Sequence, residues 1–178
     1  MREKEVDTMD PKIKQRCEWA EGDPLMEHYH DTEWGFPAKD DNELFERLTL
    51  QIFQAGLSWK IILNRRKAFR KAFSNFNVKE VADYGPTEME RLLTDKNIIR
   101  NKLKIQSTID NAKRILKLQK KYGSFQNFLE QLPNELSVLQ NELKRTFKFI
   151  GPEIARMFVM SIGKIEVPHD HYCWRYKE

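Results

Sequence analysis

Residues 87–121 read TEMERLLTDKNIIRNKLKIQSTIDNAKRILKLQKK. Thr87 and Glu90 stand at capping-box spacing and predict a short helix running through Leu93. Asp95–Asn97 makes a tight connection. A long amphipathic helix follows, with Ile98, Ile105, Ile109, Ala112 and Leu116 along one stripe and lysines and arginines on the other faces. Gly123 stops it. A helix, a connection and a basic second helix form a shape that grips a nucleic-acid backbone. It is also the commonest shape in any helical protein, so the stretch argues an all-α fold before it argues a partner.

The same reading extends in both directions. Asp23-Pro24 predicts an N-cap and a first-turn proline for a helix ending near Trp34-Gly35. Asp40 or Asp41 caps the next helix, which carries Leu44, Phe45, Leu48, Ile52 and Phe53 on one face. Gly56 breaks it, and Ser58 caps a helix through about Phe73. Downstream, shorter helices are expected over Phe125–Leu132 and Glu135–Lys144. Gly151-Pro152 opens a last one ending near Gly163. No segment alternates with the period of a strand, and no repeat or low-complexity region is present.

The chain has 178 residues, enough for one domain with its own core. Residues 16–178 read as that domain, and residues 1–15, charged and poor in periodic apolar positions, as a flexible extension. No apolar run approaches a membrane span and the N-terminus has no apolar signal core, so a cytoplasmic monomer without a membrane partner is expected. The net charge of +4 permits a nucleic-acid partner without requiring one. Its distribution says more: Arg65, Arg66, Lys67, Arg70 and Lys71 form one basic cluster, and Arg100, Lys102, Lys104, Lys113, Arg114, Lys117, Lys120 and Lys121 a second. Either cluster could equally be a solvated helix face.

Only two cysteines occur, Cys17 and Cys173, near opposite ends. Twelve residues separate Cys17 from His30, and three separate His169 from Cys173. Two thiolates and two imidazoles are a ligand set that selects zinc in a closed tetrahedral site, here tying the termini together. The spacing is not that of a standard finger, so two ordinary cysteines with incidental histidines remain the alternative. His28 and His171 compete as ligands, although His28 would point away from His30 on a helix. Aromatic residues crowd the same N-terminal region: Trp19, Tyr29, Trp34, Phe36, Phe45, Phe53 and Trp59. Aromatic faces can sandwich a base taken out of its stack, or simply fill a core.

Here the chain resembles a known family. RCEWAEGDPLMEHYHDTEWGFP (16–37), QAGLSW (54–59), IIRNKLKIQSTIDNAK (98–113), FKFIGP (147–152) and HDHYCWRY (169–176) together resemble the 3-methyladenine DNA glycosylase I family over about Arg16–Tyr176. The resemblance implies an all-helical glycosylase with a helix-hairpin-helix element, matched to residues 87–121. It implies a monofunctional enzyme that hydrolyses the N-glycosidic bond of 3-methyladenine in double-stranded DNA. It also implies a structural zinc held by residues matching Cys17, His30, His169 and Cys173, and a base pocket lined by residues matching Tyr29 and Trp59, with Trp19, Trp34 and Met26 nearby. Arg100, Lys102 and Lys104 would then contact the DNA backbone.

The sequence departs from that pattern in three places. The family glutamate that contacts the adenine edge, eight residues before the tryptophan of QAGLSW, is Gln51 here. Met26 stands where another aromatic is usual, and FQNFLEQL (125–132) lies in a shortened region without its tryptophan. Gln51 leaves two readings. An amide offers one donor and one acceptor to the adenine edge, and 3-methylation already makes the base a cationic leaving group. Conversely, losing a carboxylate in a dry site could raise the barrier by about 2–4 kcal/mol, leaving a lesion-binding or altered-specificity protein of the same fold. Glu46 and Glu43, on the same predicted helix, do not offer a convincing replacement.

Overall fold

The computed structural model describes residues 14–177, and among these the chain is all-α. Most helices begin where a side chain can satisfy their first free amides. Asp23 accepts from Leu25 N and Met26 N to open α1 (Pro24–Thr32). Asp40 accepts from Glu43 N to open α2 (Asp41–Gln54). Ser58 accepts from Ile61 N to open α3 (Trp59–Ala72). Asn77 opens α4 (Val78–Ala82), a five-residue helix too short to leave a periodic signal in the sequence. α5 (Pro86–Thr94), α6 (Lys102–Tyr122), α7 (Phe125–Gln131), α8 (Leu136–Thr146) and α9 (Pro152–Ser161) follow.

Three sequence expectations shift. α5 opens two residues earlier than Thr87 would place its cap: Gly85 is the N-cap, Pro86 takes the first position, and the Glu88 carboxylate accepts from Gly85 N at 2.8 Å. Ile98 precedes α6 rather than lying on it, because the Asn101 side chain accepts from Lys104 N and starts the helix there; Ile98 is nevertheless buried. Asp41 does not cap its own helix. Its carboxylate accepts from Phe125 N and Gln126 N, and so caps α7 across the fold.

α2 is the central helix. Every residue from Leu44 to Phe53 is buried, with α3, α4, α6, α7 and α9 packed around it. Phe45, Phe53, Phe69, Phe73, Phe76, Phe125 and Phe158 fill the main core. A smaller cluster of Met26, Tyr29, Trp34, Leu63 and Met160 joins α1 to α3 and α9, and Trp59 touches both clusters. After α9 the chain returns to its own beginning. Trp174 N donates to Gln15 O at 2.9 Å, and Lys14 Nζ sits 4.2 Å from the Trp174 ring centre. These are the described residues of the stretch expected to be a flexible extension; residues 1–13 lie outside the described part.

Candidate base recess and metal centre

The candidate metal ligands meet. One ligand atom each from Cys17, His30, His169 and Cys173 lies within 4.8 Å of all the others, a group that could hold a metal ion. Cys17 Sγ is 3.3 Å from His169 Nδ1, and Cys173 Sγ is 3.4 Å from His30 Nε2 and 3.7 Å from His169 Nδ1. His30 sits near the end of α1, while the other three come from irregular segments that meet only through the fold. His28 and His171, the competing ligands, are outside the group.

The surroundings suit two thiolates and two neutral imidazoles. Asp170 N donates to Cys17 Sγ and Arg175 N to Cys173 Sγ, each at 3.4 Å. Burial, with Arg175 and His30 nearby, pulls the His169 imidazolium down to about 4, so the ring is a neutral donor at physiological pH. Burial pushes the Cys17 thiol up to about 11; a cation at the centre is what would let it ionise. His30 Nδ1 lies 2.9 Å from Asp31 Oδ1, which leaves Nε2 for the metal side. Burial opposes the Asp31 charge, but bonds from Arg16, His30 and Trp174 outweigh it and hold the carboxyl at about 2. Arg175 closes the assembly by donating to His30 O and Trp34 O, both at 2.6 Å.

The base-binding candidates also gather. Tyr29 and Trp59 have ring centres 5.2 Å apart, Tyr29 and Trp34 6.1 Å, and Trp19 stands edge-on to Tyr29 at 6.3 Å and to Trp34 at 6.2 Å. Met26 packs in the same cluster, whereas Phe45 and Phe53 belong to the main core. Phe36 lies under the Arg175 guanidinium instead. Trp19 is 42% exposed, so it stands as the rim of the group rather than its wall.

Three polar tips, one each on α1, α2 and α3, have no hydrogen-bond partner among the described residues. Trp59 Nε1 is buried without a hydrogen bond. Gln51, only 2% exposed, has an amide that bonds to no group of the described residues, and the Tyr29 hydroxyl, on a residue 6% exposed, likewise has no such partner. α3 packs against both α1 and α2. Burial pushes the Tyr29 phenol well above its usual range, so it stays protonated. Of the three, Trp59 Nε1 alone is fully shut off from solvent; leaving such a buried donor unmet costs about 1–3 kcal/mol, and native interiors rarely tolerate it without a ligand or water to meet the group.

The charged side chains of α2 are all engaged. Arg66 bridges Glu46 at 2.6 Å and Glu33 at 2.7 Å, and Arg70 adds a second bond to Glu46. Burial works against the Arg66 charge, but Glu46 and Glu33 outweigh it and raise its pKa. Arg47 takes Glu43 and donates to Phe36 O and Ser161 O. Both carboxylates weighed as substitutes for the family glutamate are thus occupied by arginines.

The expected backbone contacts divide. Arg100 and Lys102 are exposed where the α5–α6 connection enters α6. Lys104 is not: it is 6% exposed and its ammonium donates to Phe53 O at 3.0 Å and Ala55 O at 2.8 Å, capping the end of α2. It cannot also hold a phosphate, and the reason is local: in the first turn of α6 its side chain faces the core side, where the unmet carbonyls of α2 are. The cluster on α3 is also largely spent, Arg65 on Lys96 O and Asn97 O, Arg66 and Arg70 on carboxylates. The sequence reading missed a third basic feature, of which it named only Arg114. Arg114, Lys144, Arg145 and Lys148 line a cavity of about 410 Å³ where the α8–α9 connection meets the start of α9. Its signal was FKFIGP, whose Gly151-Pro152 start of α9 follows a run of cations.

The fold agrees with known proteins. Residues 19–143 match the model of the methyladenine glycosylase family. DNA-3-methyladenine glycosylase 1 of Escherichia coli (strain K12) is 36% identical over 177 residues, covering 88% of this chain and 93% of that one. Among solved structures, a 3-methyladenine DNA glycosylase I superimposes with a TM-score of 0.81 at 34% identity, covering 92% of this chain and all of that one. The structure reporting 3-methyladenine recognition by the Staphylococcus aureus glycosylase I also gives 0.81, at 30% identity, over 92% of this chain and 97% of that one. The chain belongs to the methyladenine glycosylase family.

Proposed function

We propose that this protein is a working DNA-3-methyladenine glycosylase that excises the base by flipping it into a recess between Tyr29, Trp59 and Gln51. The observation that carries the reading is Trp59 Nε1, a buried donor without a hydrogen-bond partner among the described residues, on a ring whose centre is 5.2 Å from that of Tyr29. An extruded base supplies both what the rings lack, a stacking partner, and what the tips lack, hydrogen-bond partners. Two ring faces must lie roughly 7 Å apart to admit a base at van der Waals contact on each side, so the rings at 5.2 Å must part, or the base stacks on one of them.

The chemistry asks little of Gln51. Methylation at N3 places a positive charge on the purine. As the C1′–N9 bond breaks, its electron pair passes to the ring and neutralises that charge. Water adds to C1′ and releases a proton to solvent. The recess contributes binding and positioning, and an amide can take part in both. Duplex DNA is held by phosphate contacts from Arg100 and Lys102 at the α5–α6 connection and from Lys144 and Lys148 beside the start of α9, where helix amides add a favourable field. The protein acts as a cytoplasmic monomer.

The metal is zinc, with a structural role. Zn–S near 2.3 Å and Zn–N near 2.0–2.1 Å place tetrahedral ligand atoms roughly 3.5 Å apart, and the observed contacts of 3.3, 3.4 and 3.7 Å fall about that value. All four positions would be taken by protein atoms, so none is left for a reacting water.

The deciding experiment measures release of free 3-methyladenine from alkylated duplex DNA by the native protein and by Gln51→Glu. Native release within about tenfold of the variant's supports the reading. Release by the variant alone favours the second reading, a lesion-binding protein whose neutral Gln51 recognises without excising.

A further inference from the structure

The only two cysteines of the chain both belong to the metal centre, and their sulfurs lie within 4.8 Å of each other. Neither sits inside a helix. Cys17 is the N-cap of the turn Glu18–Ala20, and Cys173 lies in the irregular segment after α9. The two segments are also bound side by side by hydrogen bonds that involve neither sulfur nor histidine. Trp174 N donates to Gln15 O at 2.9 Å, and Glu18 N donates to the Asp170 carboxylate at 2.8 Å, so these contacts bracket the two sulfurs. Both cysteines are buried, but His169 is only half-buried and, with Trp174 and Arg175, lines a groove of about 1100 Å³. A small oxidant entering that groove meets the centre at its His169 edge.

We propose that Cys17 and Cys173 are a site of reversible oxidation: a peroxide converts the two zinc-bound thiolates to a Cys17–Cys173 disulfide, which releases the metal and takes over as the tie between the two ends of the chain. The inference rests on the zinc reading above. One thiolate attacks the peroxide; its S–O bond forms, the O–O bond breaks and hydroxide leaves. The second thiolate attacks that sulfur; the S–S bond forms, the S–O bond breaks and a second hydroxide leaves. Two protons from solvent turn the hydroxides into water. Each sulfur has lost one electron, the peroxide has gained two, and zinc departs as the dication because only two of its four ligands remain. The chain has no third thiol to compete for the sulfenic acid, so within one molecule the disulfide is fixed. It closes the same long loop as the metal and restricts the unfolded chain in the same way.

The test titrates the zinc-loaded native protein with hydrogen peroxide and follows zinc release to a chromogenic chelator, free thiols, non-reducing peptide maps and the melting temperature. Zinc and thiols should be lost together, about one zinc for two thiols. The peptides carrying Cys17 and Cys173 should appear as one linked species that a thiol reductant separates, and reductant with added zinc should restore the starting protein. The oxidised protein should recover at least half of the fall in melting temperature that stripping zinc under reductant produces. Thiols that end as sulfinic acids or in cross-linked dimers overturn the proposal. So do zinc and thiols that persist after free cysteine in the same solution is fully oxidised. A Cys17–Cys173 disulfide whose protein melts with the reduced, metal-free one overturns its role as a tie. Reduced protein purified without zinc overturns the metal reading as well, and does so before any oxidant is added. None of these readouts passes through base release, so the glycosylase reading stands or falls separately.

Discussion

The sulfur of Cys173 lies 3.4 Å from Nε2 of His30, although 143 positions separate the two residues along the chain. Neither residue makes the centre without the other end of the molecule, so the cluster reports on the closure of the whole fold. A metal bound there holds the α1 region and the C-terminal segment together and restricts the unfolded chain, since the loop it closes is long.

Metal removal should therefore be read in stability first. The purified protein is expected to carry about one zinc per chain by elemental analysis. Stripping it, or replacing Cys173 by serine, should lower the melting temperature by roughly 6–12 °C, the shift expected for about 3 kcal/mol in a domain of this size. A metal-free protein melting at the native temperature would remove zinc from the account.

Lys104 separates structure from DNA contact. Lys104→Met leaves Phe53 O and Ala55 O without their donor and should destabilise the protein by about 1–3 kcal/mol in urea unfolding. The salt dependence of DNA affinity should stay as it is. Arg100→Ala and Lys102→Ala should do the reverse, leaving the unfolding midpoint in place and each reducing the slope of log K against log salt by about one.

Glu46 is the hinge of the buried ion network. It is 6% exposed and takes Arg66 and Arg70 together. Glu46→Ala leaves Arg66 with Glu33 alone in a largely buried position, and a loss of about 3 kcal/mol is expected. Replacing Glu46 and Arg66 together by leucine and methionine should recover much of it, because desolvation of the charges is then removed as well as their attraction.

Glu43 gives the pH dependence. Burial raises its pKa, but the Lys39 amide, Arg47 and the Lys39 charge outweigh this and hold it below its ordinary value of 4.5. A carboxyl depressed on folding contributes stability above its unfolded pKa and loses it as pH falls through the folded one. The stability advantage of the native protein over Glu43→Gln should be full at neutral pH and shrink from about pH 4.5 downward. An advantage that stays constant on acidification would mean Glu43 acts through packing instead.

The helices were largely legible because their signals are local. Asp23, Asp40 and Ser58 announce α1, α2 and α3, and apolar spacing gives α6, α8 and α9 to within a few residues. α4 was not legible: five residues carry little more than one turn of periodicity. Nor was the reversal after α3, where Ser74, Asn75 and Phe76 all adopt left-handed φ of 48°, 52° and 57°. No glycine marks it. It is maintained by Phe76 burying its ring 5.8 Å from Phe73 and by Ser74 Oγ meeting Tyr84 Oη at 2.8 Å.

Residue chemistry alone determined that two thiols and two imidazoles were available, that aromatics crowd the N-terminal region, and that an amide stands at residue 51. Only the tertiary structure decided what each could do. Lys102 and Lys104 read alike as exposed cations, yet Lys102 stays in solvent while Lys104 turns inward to meet the carbonyls at the end of α2. Asp41 caps a helix 84 positions away rather than its own. Glu46 and Gln51 share one buried helix, yet the first meets two arginines and the second makes no side-chain hydrogen bond among the described residues. The physical reason is the same throughout: a polar group's role depends on which partners reach it after burial, and that is a property of packing between distant segments rather than of neighbours in the chain.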